Sequence, residues 1–182
     1  MEFQGGELMK EALTLIDQLI EEHKVILQRA QTVERIVNDL DAISEMHKAK
    51  EDFVPGRLGD QKQGLQSLQE SLKTIDNGLQ AHFDREERGL LTVFEEHGGG
   101  MLAAALHILL LEHKEIKDRI AESRKEVDEL ASGKLSREVG EGKAWGMRVY
   151  ISHTLKLLGI HNKSEGELFQ KLRTELTGRK RE

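Results

Sequence analysis

Apolar residues recur at steps of three and four along nearly the whole chain, the mark of helices that bury one face. A first run carries Leu13, Ile16 and Ile20, then Ile26, Ala30, Val33 and Val37, and predicts a helix from about Glu7 to Lys50. Phe53-Val54-Pro55-Gly56 breaks it, because proline lacks an N–H and glycine permits positive φ. The second run carries Leu65, Leu68, Leu72, Ile75 and Leu79, then Leu90 and Val93, and closes at Gly98-Gly99-Gly100. The third carries Leu102, Leu106, Leu109, Ile116 and Ile120 and stops near Ser132-Gly133. A loop with Gly140 and Gly142 precedes the fourth, which carries Val149, Leu157, Leu158, Leu168, Phe169 and Leu172. Four helices with short connections predict an all-α, up-down-up-down antiparallel four-helix bundle, a single domain over 1–182. Gly64, Gly78, Gly89, Gly146, Gly159 and Gly166 would fall inside helices, each at a cost of roughly 1 kcal/mol relative to alanine.

In the middle of every helix the apolar stripe is interrupted. It reads Ile16, Ile20, His23, Leu27, Ala30 in the first and Ile75, Leu79, His82, Glu86, Leu90 in the second. The third reads Leu106, Leu109, His113, Ile116, Ile120, and the fourth Leu157, His161, Glu165, Leu168, Leu172. One histidine on such a stripe is ordinarily a hydrogen-bonded core residue. Four are different when the turns place them together. His82 and His113 are nearly symmetric about Gly98 to Gly100, His113 and His161 about residue 137, and His23 and His82 about residues 52 and 53. Equal residue counts on antiparallel helices mean equal rise, at about 1.5 Å per residue, so all four imidazoles should share one layer. The two halves also repeat. Leu19-Ile20-Glu21-Glu22-His23-Lys24-Val25-Ile26 resembles Leu109-Leu110-Leu111-Glu112-His113-Lys114-Glu115-Ile116, and His82 to Glu86 matches His161 to Glu165 in a His-x-x-x-Glu frame. A pseudo-twofold bundle with six interior ligands follows.

Composition narrows the chemistry. Charged residues make up 33% and aromatics 4%, a helix-rich mixture. There is no cysteine, which excludes disulfides, thiolate catalysis and thiolate metal sites. The net charge of −6 carries no basic face suited to nucleic acid, and the basic tail Gly178-Arg179-Lys180-Arg181 complements the last helix dipole. The longest apolar run, Met101 to Leu111, is too short to span a bilayer, and no signal pattern opens the chain, so a cytoplasmic protein is expected.

Four imidazoles and two carboxylates exceed what one divalent ion needs from protein. Two bridging carboxylates with two histidines on each metal give four protein ligands apiece, leaving room for a bridging oxide or hydroxide and an exchangeable position. Imidazole with carboxylate suits iron, and also manganese or zinc. A His-x-x-x-Glu pair serves because residues four apart share a helix face. Ferritin-like bundles use Glu-x-x-His instead, and no histidine in this chain has Glu three residues before it.

These residues resemble the hemerythrin-like, or HHE cation-binding, family over roughly Leu13 to Leu176, most specifically in the two His-x-x-x-Glu frames with Leu90-Leu91 and Leu168-Phe169 downstream. The resemblance implies His23, His82, Glu86, His113, His161 and Glu165 as ligands of two non-haem irons, with both glutamates bridging. Oxygen-carrying hemerythrins have a fifth histidine in a His-x-x-x-His pair and a final aspartate. The positions four either side of His113 are Leu109 and Lys117, and the last carboxylate is Glu165. Four His with two Glu looks more like the bacterial proteins that repair iron centres. His153, about 80° around the helix from His161, is a candidate for the shell behind the ligands or the access path; Tyr150 lies on nearly the same face as His161, about 16 Å along the axis.

Three functions are compatible with this reading. The first is a di-iron protein that binds or reacts with oxygen, nitric oxide or peroxide for sensing, storage or stress response. The second is an oxidoreductase, a peroxidase or nitric oxide reductase, using the same centre. The third is a metal-free helical module that binds a protein partner through acidic surfaces.

Overall fold

The computed structural model describes the backbone of residues 2–48 and 57–178, and the side chains of residues 9–40, 62–136 and 139–178. The described elements are all helical: α1 Glu2–Lys48, α2 Arg57–Arg85, a π-helical turn Glu86–Leu90, α3 Leu91–His97, α4 Gly99–Ala131 and α5 Arg137–Gly178. Arg85 and Leu91, which flank the π turn, both keep right-handed helical angles, so α2, the turn and α3 form one continuous rod. Four rods result, and the protein is an all-α four-helix bundle. The expected break at Phe53 to Gly56 lies outside the described residues. No described helix is long and apolar enough to cross a membrane.

The connections follow from backbone chemistry. The second rod stops where the Gly98 N–H bonds to the Phe94 carbonyl at 2.8 Å and Gly99 turns to φ 65°, an angle that costs glycine nothing. After α4, Gly133 does the same at φ 66°. The expected loop around Gly140 and Gly142 is instead the start of α5, which begins at Arg137. The Gly140 N–H bonds to Ser136 O at 2.8 Å, and a helix anchored by its later turns tolerates two glycines at about 1 kcal/mol each.

The chain forms two compact units, each containing parts of all four rods. The first consists of Met1–Leu27, Gly78–Ile116 and Leu158–Glu182. Its apolar core includes Ile16, Leu19, Leu90, Phe94, Leu106, Phe169 and Leu172. At its surface Arg173 meets Asp17 at 3.3 Å, Arg85 meets Glu22 at 2.8 Å and His107 meets Glu95 at 3.4 Å. The second consists of Gln28–Asn77 and Lys117–Leu157. It buries Val33, Val37, Leu68, Leu72, Ile75, Ile120, Val127 and Ile151. Gln69 donates to Asp128 at 2.6 Å and Arg124 to Asp76, an order of partners that runs α2 and α4 antiparallel.

Burial confirms the internal repeat and locates a slip of one residue in it. The buried positions Ile16, Leu19, His23, Ile26, Ala30, Val33 and Val37 of α1 recur at a single offset in α4 as Leu106, Leu109, His113, Ile116, Ile120, Ser123 and Val127. Those of α2 recur on α5 at another single offset, from Leu68 and Met147 up to Leu90 and Phe169. Beyond Leu90 the registers part by one residue: Phe94 is buried in the second rod and Leu172 in the fourth. The π turn is the cause. The Leu91 N–H bonds to Glu86 O, five residues back rather than four, and so accommodates one extra residue. Phe94 therefore takes the core position expected of Val93, which is only partly buried.

Candidate metal centre

The apolar stripes of four rods deliver four histidines to one level of the first unit: His23 from α1, His82 from α2, His113 from α4 and His161 from α5. Glu86, opening the π turn, and Glu165 of α5 follow one turn later. None of the six is more than 5% exposed, and both glutamates are fully buried. The imidazoles fall into two pairs, with ring centroids 4.7 Å apart for His23–His82 and 5.0 Å for His113–His161. Each carboxylate reaches both pairs. Glu86 Oε1 lies 3.1 Å from His82 Nε2 and 3.6 Å from His23 Nε2, while its Oε2 lies 3.3 Å from His113 Nε2. Glu165 Oε1 lies 3.2 Å from His161 Nε2 and 3.3 Å from His113 Nε2, while its Oε2 lies 3.3 Å from His23 Nε2.

Of these contacts only His113 Nε2 to Glu165 Oε1 has hydrogen-bond geometry. The Nε2 atoms of His23, His82 and His161, both Glu86 oxygens and Glu165 Oε2 have no hydrogen-bond partner among the described residues. A buried polar atom left unpaired costs on the order of 1–3 kcal/mol, and a buried carboxylate more. Six such atoms around one space make sense as donors to cations. One atom each from His23, His82, Glu86 and Glu165 lies within 4.8 Å of the others, and the same holds for His113, His161 and Glu165. Imidazole nitrogen with carboxylate oxygen is the donor set of a borderline divalent or trivalent ion. The residues present fit such a site.

Without a cation, charge balances the cluster. Burial alone would lower the pKa of His23, but the Glu165 and Glu86 carboxylates outweigh it and raise it to about 9. His113 is likewise raised to about 9 against its burial by Glu165, Glu86 and Glu87. Burial opposes ionisation of Glu86, yet His113, His23 and His82 lower its pKa to about 2. Glu165 is held well below the carboxylate range by His113, His161 and His23.

A second ring of carboxylates stands behind the imidazoles. The Nδ1 of His82 lies 2.8 Å from Glu22 Oε2, that of His161 2.9 Å from Glu112 Oε2 and that of His113 2.9 Å from Glu87 Oε1. An Nδ1–H donated outward leaves the Nε2 lone pair facing the centre, which selects the ligating tautomer and raises its basicity. Glu22 is itself held by Arg85, and the pull of His82 and Arg85 lowers its pKa despite partial burial. Sequence reasoning missed all three residues, although two left a trace: Glu22 and Glu112 precede His23 and His113 in the repeated frame. Each serves the histidine of the following rod rather than its own neighbour. Glu87 left none.

The other sequence candidates lie elsewhere. His153 is exposed and accepts from Arg119 Nη1 at 3.4 Å, and the same guanidinium sits 5.6 Å from the Tyr150 ring centre. Both residues belong to the second unit. A family model described as the Hemerythrin HHE cation binding domain matches residues 14–172. No curated protein and no solved structure matches the chain.

Proposed function

This chain belongs to the hemerythrin HHE cation-binding family, and from that premise we propose that its buried cluster holds two iron ions and presents them to a small ligand such as oxygen, nitric oxide or peroxide. One observation carries the reading: Glu86 and Glu165 each turn one oxygen toward the His23–His82 pair and the other toward the His113–His161 pair. A carboxylate that serves a single ion has no need to face two pairs. His23 and His82 would hold one ion and His113 and His161 the other, with both glutamates bridging. Such a pair of ions supplies redox chemistry and exchangeable ligand positions. Manganese or zinc fits the same donors.

The chain's own residues set the conditions. Glu22, Glu87 and Glu112 keep three Nδ1 protons pointing outward. Phe83, stacked on His113 at 3.8 Å, and Phe169, stacked on His23 at 5.4 Å, keep bulk water from the ring faces. The family match runs through residues of both units, which supports treating 1–182 as one domain. The test is metal analysis of protein purified without air. About two irons per chain are expected, with near-ultraviolet oxo-bridge bands after exposure to air, and both are lost in His82→Ala and Glu86→Ala. A chain that retains no metal under these conditions removes the reading.

A further inference from the structure

The apolar run Met101 to Leu111 buries only one side of α4. Leu106 and Leu109 enter the core on the side of His113. On the other side Met101 is 86% exposed, Leu111 78% and Ile108 64%, and Ala104 is exposed among them. The three large ones are the most exposed large apolar side chains among the described residues. Apolar residues scattered singly over a surface are ordinary, but contiguous ones mark an interaction site. These four follow one another at steps of three, four and three, the spacing of a coiled-coil seam, so they form one line along the rod. The line is bounded. Two residues before Met101 the helix begins at Gly99, and the next two seam positions after Leu111 carry Glu115 and Asp118.

We propose that this line docks, antiparallel, on the same line of a second copy of the chain. It is complementary to itself. About a twofold axis level with Leu106, Met101 of each copy stands opposite Leu111 of the other, and Ala104 opposite Ile108. No other antiparallel register pairs all four. In the middle layers a large side chain meets a small one, which lets the two rods approach closely. Charge selects the direction. A parallel pair would stack Glu115 on Glu115 and Asp118 on Asp118 in the layers next to the seam, and like charges across an interface repel. In the antiparallel register these carboxylates pass beyond Met101 of the other copy to the start of its α4, where unpaired N–H groups and the positive end of the helix dipole meet them. From Met101 to Leu111 the rise is about 15 Å, short for a permanent interface, so the dimer forms and parts with concentration.

Sedimentation equilibrium of the full chain tests this. A monomer–dimer equilibrium is expected between low and high micromolar protein. Ile108→Lys and Leu111→Lys should each weaken association by about tenfold or more. Both side chains point away from the core, so helical circular dichroism and Tm should stay at the wild-type values. The chain has no cysteine, which allows the direction to be read by disulfide trapping. Met101→Cys mixed with Leu111→Cys should cross-link on mild oxidation, and either variant alone should not. A chain that stays monomeric over this range overturns the proposal, as does a dimer that survives both lysine substitutions. A monomer that binds phosphatidylcholine vesicles, and stops binding them in Ile108→Lys, overturns it in favour of a bilayer surface. Cross-linking of Met101→Cys alone, as fast as that of the mixture, overturns the antiparallel seam.

Discussion

The same four rods supply both units, yet the units treat buried polar groups in opposite ways. In the second, every such group among the described residues is closed off within the unit. Ser123 Oγ donates to Arg119 O at 2.8 Å, Thr154 Oγ1 to Tyr150 O at 2.9 Å, and Asp76 is held by Arg124. In the first, eight buried side-chain atoms on six residues remain open, all of them on the four-histidine layer or beside it at Asn162. Both units bury these groups on long helices, so burial alone does not explain the contrast. Native interiors leave few polar groups unpaired, and concentration of the exceptions in one unit separates a region made to be self-sufficient from one made to be completed by something else.

The comparison can be broken most forcefully at the bridging carboxylates. Ligand binding stabilises by about 4 kcal/mol at a thousandfold excess over Kd, and each kcal/mol moves Tm by about 2–4 °C in a chain of this size. Metal loading should therefore raise Tm by about 8–16 °C, and Glu165→Ala should abolish the rise, as read by calorimetry with and without iron. An undiminished rise in Glu165→Ala would mean that the open atoms are not the binding site. In the second unit, Leu72→Ala removes a fully buried side chain and should cost about 2–5 kcal/mol. Iron content per folded chain should stay at the wild-type value, and its loss would deny the second unit its self-sufficiency.

Acid and base sharpen the contrast further. In the metal-free chain His23 and His113 are raised from 6.5 to about 9. Their contribution to stability is complete below pH 6.5 and lost as pH climbs through about 9. Glu86 is lowered from 4.5 to about 2, so its contribution is complete above pH 4.5 and lost as pH falls toward 2. Metal-free stability should peak between pH 4.5 and 6.5. Metal loading should erase the alkaline decline, because ligation deprotonates the imidazoles in advance; identical alkaline limbs with and without metal would contradict this. The smallest effect is expected from Ser123→Ala, at no more than about 1.5 kcal/mol with unchanged iron content.

Much of this was legible in the chain itself. The layer of His23, His82, His113 and His161 could be read from residue counts about the turns, because a helix converts sequence distance into height at a constant rate. The same constancy hid the π turn: a reading that assumes 3.6 residues per turn throughout assigns Val93 to the core, where Phe94 stands. It also placed Gly140 and Gly142 in a loop, since glycine cost was weighed without the docking of later turns. Glu22, Glu87 and Glu112 were illegible for another reason. In a chain with 33% charged residues, a glutamate on an outer helix face looks like any solvated side chain until its partner on the next rod is known. Asn162 was overlooked because an amide beside a histidine carries no periodic signal, and only the superposed repeat shows that a phenylalanine holds the corresponding place.

The wide turn at Glu86–Leu90 reads as a historical record. The second and fourth rods agree in burial from Leu68 and Met147 up to that point and are one residue out of step after it, as two copies of one helix are when one gains a single residue. Removing one residue from this stretch should leave a regular helix with Phe94 still in the interior, while sparing everything upstream. The bulge is thus a reversible edit, and shortening it asks what the centre does when the second and fourth rods keep one register along their whole length.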